Sequence, residues 1–409
     1  MMTVEKLTPA WHVAFLASHN ALFTKISAEY LERLGDPQSP FPVRTFIARD
    51  ETQVAAWGRF YLRSLQLYGD TAAPLKVAMA CAIGTLPDHQ RKGLGRKVWR
   101  VAEGASAEEV DAVVVYTSEG GMGYPFYRAQ GYLPLFYPRP MRRSVSGPAQ
   151  YQRPETKTMS FRESETLSGR RGELFAACYR DYGGFMGHRP RSLDEWATVS
   201  FFYDPPTVGC TPQISWVEDA MTGRWIAYAI WAGPIRNVGW KKDVVEIWEM
   251  ACADNCDVEC LRHLLQPVCA AACDGNGHID WWSVPGHALS ERMLSLGFEE
   301  MPRSLCVLGR ILDPARMLQT RLRSGNLSTG SVECTTQANS RVEIRLGDCR
   351  LEIEIEGATR MLFGRSTASL EHQHGSLTIR PLRKTRAVLE TLDQVFPFVR
   401  WSYFASEFI

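Results

Sequence analysis

The sequence predicts a mixed α/β fold divided into several units, and three observations lead to this prediction. Residues 1–145 alternate strand-like and helix-like patterns in the order strand, helix, strands, helix, strand. The same order recurs in residues 150–312, after a polar linker that contains proline. Residues 316–409 then change to short alternating strands separated by Gly or Asn turns. A chain of 409 residues is too long for one hydrophobic core, so two or three domains are expected.

Composition and charge argue against several classes of protein. Apolar residues make up 45% and charged residues 22%, as in ordinary soluble globular proteins. The formal net charge of +1 argues against a nucleic-acid partner held by a large basic surface. The N-terminal stretch MMTVEKLTPAWHVAF has no positive segment followed by an apolar core, so no signal peptide is predicted. No run of about 18 apolar residues exists either, and no membrane span is predicted.

The eleven cysteines are scattered and odd in number, which predicts reduced thiols in the cytoplasm. A metal site is the alternative for the four residues Cys252, Cys256, Cys260 and His263, which helical spacing could align on one face. No paired CxxC is present, and Leu, Val and Ala surround these cysteines. Such neighbours are typical of buried free thiols, so no metal is predicted.

In the first unit, the patterns predict one long helix and a series of strands. The helix covers Ala10 to Leu34, and the prolines at 37, 40 and 42 end it. The strands are Val4 to Leu7, Thr45 to Ala48, Val54 to Leu67, Val77 to Ile83, Val110 to Thr117, and a closing segment from Tyr132 to Arg142.

The stretch from Leu86 to Trp99 (LPDHQRKGLGRKVW) contains the spacing Gln90-x-x-Gly93-x-Gly95 between a buried strand and a helix. Glycines let the backbone turn tightly and approach a ligand, and the unpaired amides at a helix start attract phosphate. Cationic charge is added by Arg91, Lys92, Arg96 and Lys97. The stretch is neither a dinucleotide fingerprint nor a P-loop. It predicts a phosphate-binding turn, and a basic helix start with ordinary turn glycines is the alternative.

A second motif follows the next strand: Ser118-Glu119-Gly120-Gly121 and then Tyr127-Arg128-Ala129-Gln130-Gly131-Tyr132. Together the two motifs resemble the GCN5-related N-acetyltransferases (GNAT), whose [Q/R]-x-x-G-x-[G/A] signature binds the pyrophosphate of acetyl-CoA. The resemblance implies an acetyl-CoA-dependent N-acetyltransferase. It implies contacts with acetyl-CoA at Ile83, Thr85, Gln90, Arg91, Lys92, Gly93, Leu94, Gly95, Arg96 and Ser118. Tyr127 would protonate the thiolate of CoA; Tyr124 fits the spacing less well, and a tyrosine that only packs in the core is the alternative.

In the second unit, strands are predicted over Gln213 to Val217, Trp225 to Trp231, Val244 to Met250 and Ile279 to Val284. Helices are predicted over Glu163 to Tyr179, Ser192 to Phe202, Cys256 to Cys273 and His287 to Leu296. The turn after Val244 to Met250 reads ACADNCDVECL and has neither glycine nor cation. We therefore expect a degenerate second GNAT fold that has lost cofactor binding, with an unrelated α/β domain as the alternative.

In the third unit, strands are predicted over Val342 to Leu346, Cys349 to Glu356 and Ser376 to Arg380, and a helix over Arg383 to Phe396. The last twelve residues are rich in aromatic side chains and should dock against other parts of the chain. Three such units in this order resemble the Eis-type (enhanced intracellular survival) acetyltransferases. That resemblance implies tandem GNAT folds, residues 1–145 and 150–312, and a sterol-carrier-protein-like α+β domain, residues 316–409.

The Eis resemblance also implies roles for residues around the acceptor amine. In that family the terminal carboxylate of the chain acts as the base, and here this role would fall to the α-carboxylate of Ile409. The chain runs one residue past the end of the family pattern. Glu407 or an ordered water is therefore an alternative base. Phe23, Lys25 and Glu407 would contact the acceptor. Lys25 stands where members that acetylate aminoglycosides carry aspartate, and it would repel a polycation. A homo-oligomer is implied, with a hexamer as one form.

The predicted function is transfer of acetyl from acetyl-CoA to an amine of a small molecule, aminoglycoside-like or a lysine amine. One alternative is an enzyme of natural-product tailoring with another acyl donor. The other is a lipid-binding carrier whose first domain is vestigial, which the intact phosphate turn and Tyr127 oppose.

Overall fold

The structure of the chain is a computed structural model. The structure describes residues 2–23, 26–35, 42–65, 74–145, 156–160, 185–186, 213–219, 221, 223, 225–235, 244–253, 256–275, 277–283, 287–302, 304–325, 332–380, 384–397 and 400–401.

The strands are β1 (Thr3–Lys6), β2 (Val43–Arg49), β3 (Val54–Leu65), β4 (Leu75–Thr85), β5 (Ala112–Ser118), β6 (Leu133–Phe136), β7 (Arg139–Ser144), β8 (Thr156–Ser160), β9 (Phe185–Met186), β10 (Gln213–Glu218), β11 (Trp225–Ile235), β12 (Val244–Cys252), β13 (His278–Ser283), β14 (Glu299–Glu300), β15 (Leu305–Ile311), β16 (Val332–Gln337), β17 (Arg341–Leu346), β18 (Cys349–Glu354), β19 (Leu377–Arg380) and β20 (Arg400–Trp401). The helices are α1 (His12–Leu22), α2 (Ala28–Gly35), α3 (Leu94–Ser106), α4 (Gly123–Arg128), α5 (Val258–Leu264), α6 (Gln266–Cys273), α7 (Ala288–Ser295), α8 (Pro314–Ser324), α9 (Ile355–Leu362), α10 (Ala368–Gln373) and α11 (Thr385–Val395).

The first sheet has seven strands in the order β1-β2-β3-β4-β5-β15-β6. Neighbours pair antiparallel except β4 and β5, which run parallel and are joined by α3. Helix α3 packs on one face of this sheet, where its Trp99 ring lies 5.2 Å from the Phe60 ring. The predicted class of mixed α/β sheets is therefore confirmed.

The second sheet repeats this plan in the order β14-β7-β13-β12-β11-β10-β8. Its parallel pair is β12 and β13, and α5 and α6 connect these two strands. Every residue of β12 is buried, as expected for a strand covered on both faces. The equivalent placement of the two parallel pairs supports the predicted duplication.

Two strands cross between the segments that the sequence separates. Strand β7 (Arg139–Ser144) pairs with β13 in the second sheet, and β15 (Leu305–Ile311) pairs with β5 and β6 in the first. Each sheet therefore takes one strand from the neighbouring stretch of sequence. The boundaries at residues 145 and 312 stay a prediction, but both seven-stranded sheets contain strands from either side of residue 145.

The C-terminal part contains the four-stranded antiparallel sheet β16-β17-β18-β19 with helices α8 to α11. The strand predicted over Cys349 to Glu356 ends at Glu354, because α9 begins directly at Ile355. Helices α8, α9 and α10 were not predicted. Gly309 of β15 allows this part to pack on the first sheet, since an added Cβ would lie 2.4 Å from Leu135 and 3.0 Å from Phe363.

The long helix predicted over Ala10 to Leu34 is two helices, and the prediction of one was wrong. The side chain of Asn20 accepts from the backbone N–H of Ile26 at 3.0 Å and donates to its carbonyl at 3.1 Å. Phe23 is extended, with φ −121° and ψ 174°. A side chain that replaces backbone partners in this way ends a helix. Likewise Cys256 to Cys273 divides into α5 and α6, with proline in the first turn of α6.

The predicted helices over residues 163–179 and 192–202 lie outside the described residues. Among the helices that the structure describes, none is long and apolar enough to cross a membrane.

Candidate active site

A cavity of about 640 Å³ opens at the end of β4. Its wall is made of residues from α1, β4, the turn before α3, the start of α3, and α4. They are Leu22, Phe23, Ile83, Gly84, Thr85, His89, Gln90, Arg91, Gly93, Leu94, Gly95, Arg96, Met122, Gly123, Phe126 and Tyr127.

Strands β4 and β5 separate where the cavity begins. They pair only over residues 77–80 of β4 and 112–115 of β5, although β4 continues to Thr85 and β5 to Ser118. The wall is formed by the unpaired end of β4 and by α4, the helix that follows β5. A ligand at this position can therefore reach the β4 backbone on one side and α4 side chains on the other.

A β-bulge lies in β4 at this point. Trp57 pairs with Gly84 and Arg59 with Cys81, so residues 82–83 of β4 stand opposite the single residue Gly58. Ala82 has a φ of 46°, a left-handed conformation that is unusual for alanine. Bulges next to active sites redirect backbone groups, and the extra residues here belong to the strand that lines the cavity.

The turn between β4 and α3 is held against the end of β4. The side-chain amide of Gln90 donates to the Thr85 carbonyl at 3.4 Å. Arg91 and Gly93 both have left-handed φ values, 60° and 75°, and Gly93 caps the first turn of α3. A non-glycine residue in this region carries strain that is common at ligand sites. The first backbone amides of α3 therefore stand at the cavity wall, where a helix start favours an anion.

Charge in this part of the site is cationic. Arg91 and Arg96 line the cavity and are exposed, and the lining residues that the structure describes include no Asp or Glu. Lys92, predicted to contact acetyl-CoA, is exposed but does not line the cavity. Ser118 likewise lies at the exposed end of β5, where its carbonyl accepts from Gly121 at 2.9 Å. Contacts of these two residues with acetyl-CoA stay a prediction.

Tyr127 of α4 lines the cavity and is only 5% exposed. Its ring lies 5.0 Å from that of Trp99, and burial, followed by the nearby Cys81, raises the pKa of its hydroxyl. Tyr127 is therefore a neutral phenol at physiological pH. Tyr124, the weaker candidate, does not line the cavity.

An aromatic cluster backs the α1 side of the cavity. Phe23 lines the cavity, and its ring lies 5.4 Å from the imidazole of His19 and 6.1 Å from Trp57 in an edge-on arrangement. Burial, and then the charge of Arg59, lower the pKa of His19 to about 4. The cluster is consequently uncharged at neutral pH.

Residues 5–132 match the family model described as "Acetyltransferase (GNAT) family". The match runs from within β1 to the residue before β6, and it includes the turn, the bulge and Tyr127. Residues 5–132 are therefore similar to the GNAT acetyltransferase family. This part of the chain is hereafter called the GNAT unit, and the match supports a transferase enzyme.

Solved structures resemble nearly the whole chain, at low identity. A conserved protein from Enterococcus faecalis V583, described as a probable N-acyltransferase, has a TM-score of 0.66 and 14% identity, and the match covers 99% of this chain and 100% of that one. Eis1 from Mycobacterium abscessus has a TM-score of 0.56 and 12% identity, with 99% of each chain covered. A tandem GNAT protein from the clavulanic acid biosynthesis pathway has a TM-score of 0.50 and 12% identity, covering 77% of this chain and 99% of that one. At such identity these likenesses establish a shared fold. No curated protein matches the sequence.

Several residues of the GNAT unit that line the cavity were not predicted as site residues: Leu22, Gly84, His89, Met122, Gly123 and Phe126. The double glycine at 120–121 was the available signal for the last three, because it places α4 against the end of β5. A Cβ on Gly123 would lie 2.7 Å from the Thr117 hydroxyl and 3.2 Å from the Tyr127 ring. Only glycine therefore permits this approach of α4.

Three predicted site residues, Lys25, Glu407 and Ile409, lie outside the described residues. Their roles stay predictions. The structure brings most of the other predicted residues together at one cavity, and these are Phe23, Ile83, Thr85, Gln90, Arg91, Gly93, Leu94, Gly95, Arg96 and Tyr127.

The region after β12 is the counterpart, in the second sheet, of the phosphate turn in the first. Cys252, Cys256 and Cys260 are buried there. The guanidinium of Arg292 donates to the Cys256 carbonyl at 2.6 Å and lies 3.6 Å from the Cys252 sulfur. Within the described ranges, no group of three metal-ligating side chains is placed to hold a metal ion. The loss of cofactor binding in the second unit stays a prediction.

Proposed function

We propose that this protein transfers the acetyl group of acetyl-CoA to an amine of a small molecule. The observation that carries the proposal is a single cavity that joins the glycine turn at the start of α3 to the buried hydroxyl-bearing residue Tyr127, across the bulged end of β4. The two features are what the transfer requires: a place for the phosphates and a proton donor near the sulfur.

The residues present fit the charge and shape of acetyl-CoA. Backbone amides at Gly93, Leu94 and Gly95 would hold the pyrophosphate, and Arg91 and Arg96 add positive charge. The gap between β4 and β5 would take the extended pantetheine arm, which can pair with the unpaired β4 backbone up to Thr85. The thioester would then lie beside the bulge and Tyr127.

When bound, acetyl-CoA supplies an activated acetyl thioester. Backbone groups at residues 82–83, which have no register partner on β3, would polarise the thioester carbonyl as its oxygen gains charge. The walls of the cavity hold the acceptor in line with the acyl carbon, which converts a bimolecular reaction into a local one.

Tyr127 holds a proton at its hydroxyl oxygen, because burial raises its pKa and keeps it neutral. It would give this proton to the leaving sulfur. The phenolate that results is disfavoured in this buried position, so Tyr127 must regain a proton as the amine sheds one. The base that takes the proton from the amine is proposed to be the Ile409 carboxylate, with Glu407 or a water as alternatives.

The finer assignment to Eis-type enzymes is part of this proposal. It is supported by the fold shared with Eis1 from Mycobacterium abscessus over nearly the whole chain. On this basis we propose a sterol-carrier-like C-terminal domain and a homo-oligomer. The fold shared with a tandem GNAT protein of clavulanic acid biosynthesis favours natural-product tailoring with another acyl donor as the second candidate.

The test is a thiol-release assay that follows free CoA from acetyl-CoA, with aromatic amines, aminoglycosides, polyamines and lysine peptides as acceptors. Calorimetric titration measures acetyl-CoA binding separately. Turnover with an amine supports the proposal, and faster release from a longer acyl-CoA favours the second candidate. Saturable lipid binding without acetyl-CoA binding would instead point to the carrier alternative.

A further inference from the structure

The wall that α1 contributes to the cavity is apolar and open. It consists of Leu22 and Phe23, which are 41% and 38% exposed although they line a cavity. Large apolar side chains left this open beside a site gain free energy when a ligand covers them. The wall is therefore suited to the apolar body of a ligand.

The position of the Phe23 ring is fixed by its neighbours. It rests on Gly84, where an added Cβ would lie 3.0 Å from the ring. Trp57 meets it edge-on at 6.1 Å with an interplanar angle of 72°, and His19 lies 5.4 Å away at 32°. Packed aromatic rings of this kind present a defined face or edge, and so a second ring can stack there. Gly84 belongs to the end of β4 that does not pair with β5. The Phe23 ring therefore lies beside the part of the strand that would hold the thioester.

The histidine behind this wall adds no positive charge. The amide of Asn20 is oriented by its two hydrogen bonds with the Ile26 backbone, so its oxygen accepts at 3.2 Å from Nδ1 of His19. The proton of the neutral ring therefore sits on Nδ1. Nε2 keeps its lone pair and is buried without a partner among the described residues. Charging this nitrogen in an apolar cluster would be costly.

Electrostatics disfavour a polycationic acceptor. Among the described residues that line the cavity, the charged side chains are Arg91 and Arg96, which are proposed above to hold the pyrophosphate, and none is a carboxylate. Recognition of an amine-rich ligand requires acidic partners, because each buried ammonium must be paired. The described wall offers aromatic and aliphatic surface instead.

Resting on the function proposed above, we propose that the acceptor is a primary amine carried on a flat aromatic body without a second cationic group, and that its ring stacks on Phe23. The ring would cover Leu22 and Phe23, and its amine would extend toward the end of β4. Reaction requires the neutral amine, which an uncharged wall does not oppose.

The test compares three matched acceptors in the thiol-release assay with acetyl-CoA: benzylamine, cyclohexylmethylamine and para-xylylenediamine. Benzylamine should show the highest kcat/KM. Replacing the flat ring by cyclohexane should lower kcat/KM about threefold to tenfold, the range expected for a stacked aromatic pair. A second ammonium should lower it at least about tenfold, after correction for two reactive amines, because the described part of the cavity wall offers this ammonium no carboxylate partner.

Variants of Phe23 separate this role from a structural one. Phe23→Leu should abolish the preference for benzylamine over cyclohexylmethylamine and leave KM for acetyl-CoA unchanged. Phe23→Glu should raise kcat/KM for para-xylylenediamine relative to benzylamine. Val13→Glu is the matched control, because Val13 is 82% exposed on α1, the helix that directly precedes Phe23, and does not line the cavity. Val13→Glu should leave kcat/KM for all three acceptors unchanged.

The outcomes are distinguishable. Preference for para-xylylenediamine, or for aminoglycosides and polyamines, would overturn the acceptor class and leave acetyl transfer intact. If Phe23→Leu changes the ratio of acetyl-CoA to hexanoyl-CoA turnover and not the acceptor ratios, the wall holds the acyl chain and the inference is wrong. If no amine releases CoA while acetyl-CoA binds, the proposed function itself fails.

Discussion

Gly84 and Trp57 are register partners on β4 and β3, and a Cβ atom added to Gly84 would lie only 2.4 Å from the Trp57 ring. The glycine is thus the condition for placing an aromatic cluster directly behind the strand that lines the cavity. Packing and the candidate acceptor wall depend on the same contact.

Gly84→Ala should push the Trp57 ring and Phe23 out of place. Overpacking of this kind costs about 1–3 kcal/mol of unfolding free energy. We also expect kcat/KM for the acceptor to fall at least about tenfold, since small misplacement of a reacting group is costly. Urea unfolding and steady-state kinetics measure the two effects.

Gly104→Ala is the matched control for that change. Gly104 lies inside α3, and an added Cβ would meet nothing within 4 Å. This variant should gain about 0.5–1 kcal/mol, because alanine is the better helix former. Equal loss of activity in both variants would mean that the space at Gly84 has no special role.

Tyr127→Phe should lower kcat by about a hundredfold or more, the usual contribution of a positioned proton donor. The acetyl-CoA dissociation constant should stay nearly the same, because the ring and its packing on Trp99 are kept. Single-turnover kinetics and calorimetry separate the two quantities. Tyr124→Phe is the control, since Tyr124 lies outside the cavity lining. Normal turnover in Tyr127→Phe would leave this tyrosine a packing residue.

Arg96→Gln should weaken acetyl-CoA binding several-fold, on the order of 1 kcal/mol for one exposed charge next to phosphate, and less at high salt. Lys97→Gln removes the same charge from the next residue, which is exposed but does not line the cavity. It should change the dissociation constant little. Calorimetric titrations at low and high salt test the pair, and an equal effect of both changes would indicate only long-range attraction.

The sequence predicted the features that local spacing determines. The order of strands and helices fixed the fold class, and Gln90-x-x-Gly93-x-Gly95 placed the turn and the start of α3 correctly. Tyr127 was predicted from the tyrosine-x-x-x-glycine-aromatic spacing that resembles the GNAT family, and the structure places it at the cavity on the short helix α4. Each of these signals lies within a few residues of the feature it predicts.

Long-range features could not be read in the same way. The pairing of β15 with β5 joins residues nearly two hundred positions apart, and nothing in either strand names its partner. The break between α1 and α2 depends on one side chain, Asn20, which bonds the backbone of Ile26. An apolar periodicity that continues across the break hides it.

His19 gives a pH dependence of stability with a definite sign. Burial, followed by Arg59, lowers its pKa from 6.5 to about 4 in the folded protein. Between these values the unfolded chain binds the proton and the folded chain does not, so stability falls as pH decreases below about 6.5. Above about pH 6.5 His19 is neutral in both the folded and the unfolded chain, so it causes no loss of stability there. At pH 5 the loss should be about 2 kcal/mol from this residue.

Urea unfolding of the protein and of His19→Gln at pH 7 and pH 5 measures this contribution. The variant should lose stability at pH 7, because glutamine packs less well among Phe15, Phe23 and Trp57. Its further loss between pH 7 and pH 5 should be smaller than that of the unmodified protein by about 2 kcal/mol. His374→Gln, at an exposed position, should keep the original pH dependence. If His19→Gln and the unmodified protein lose the same unfolding free energy on acidification, then His19 is not held neutral. The cluster behind Phe23 would then not be uncharged, contrary to the proposed acceptor site.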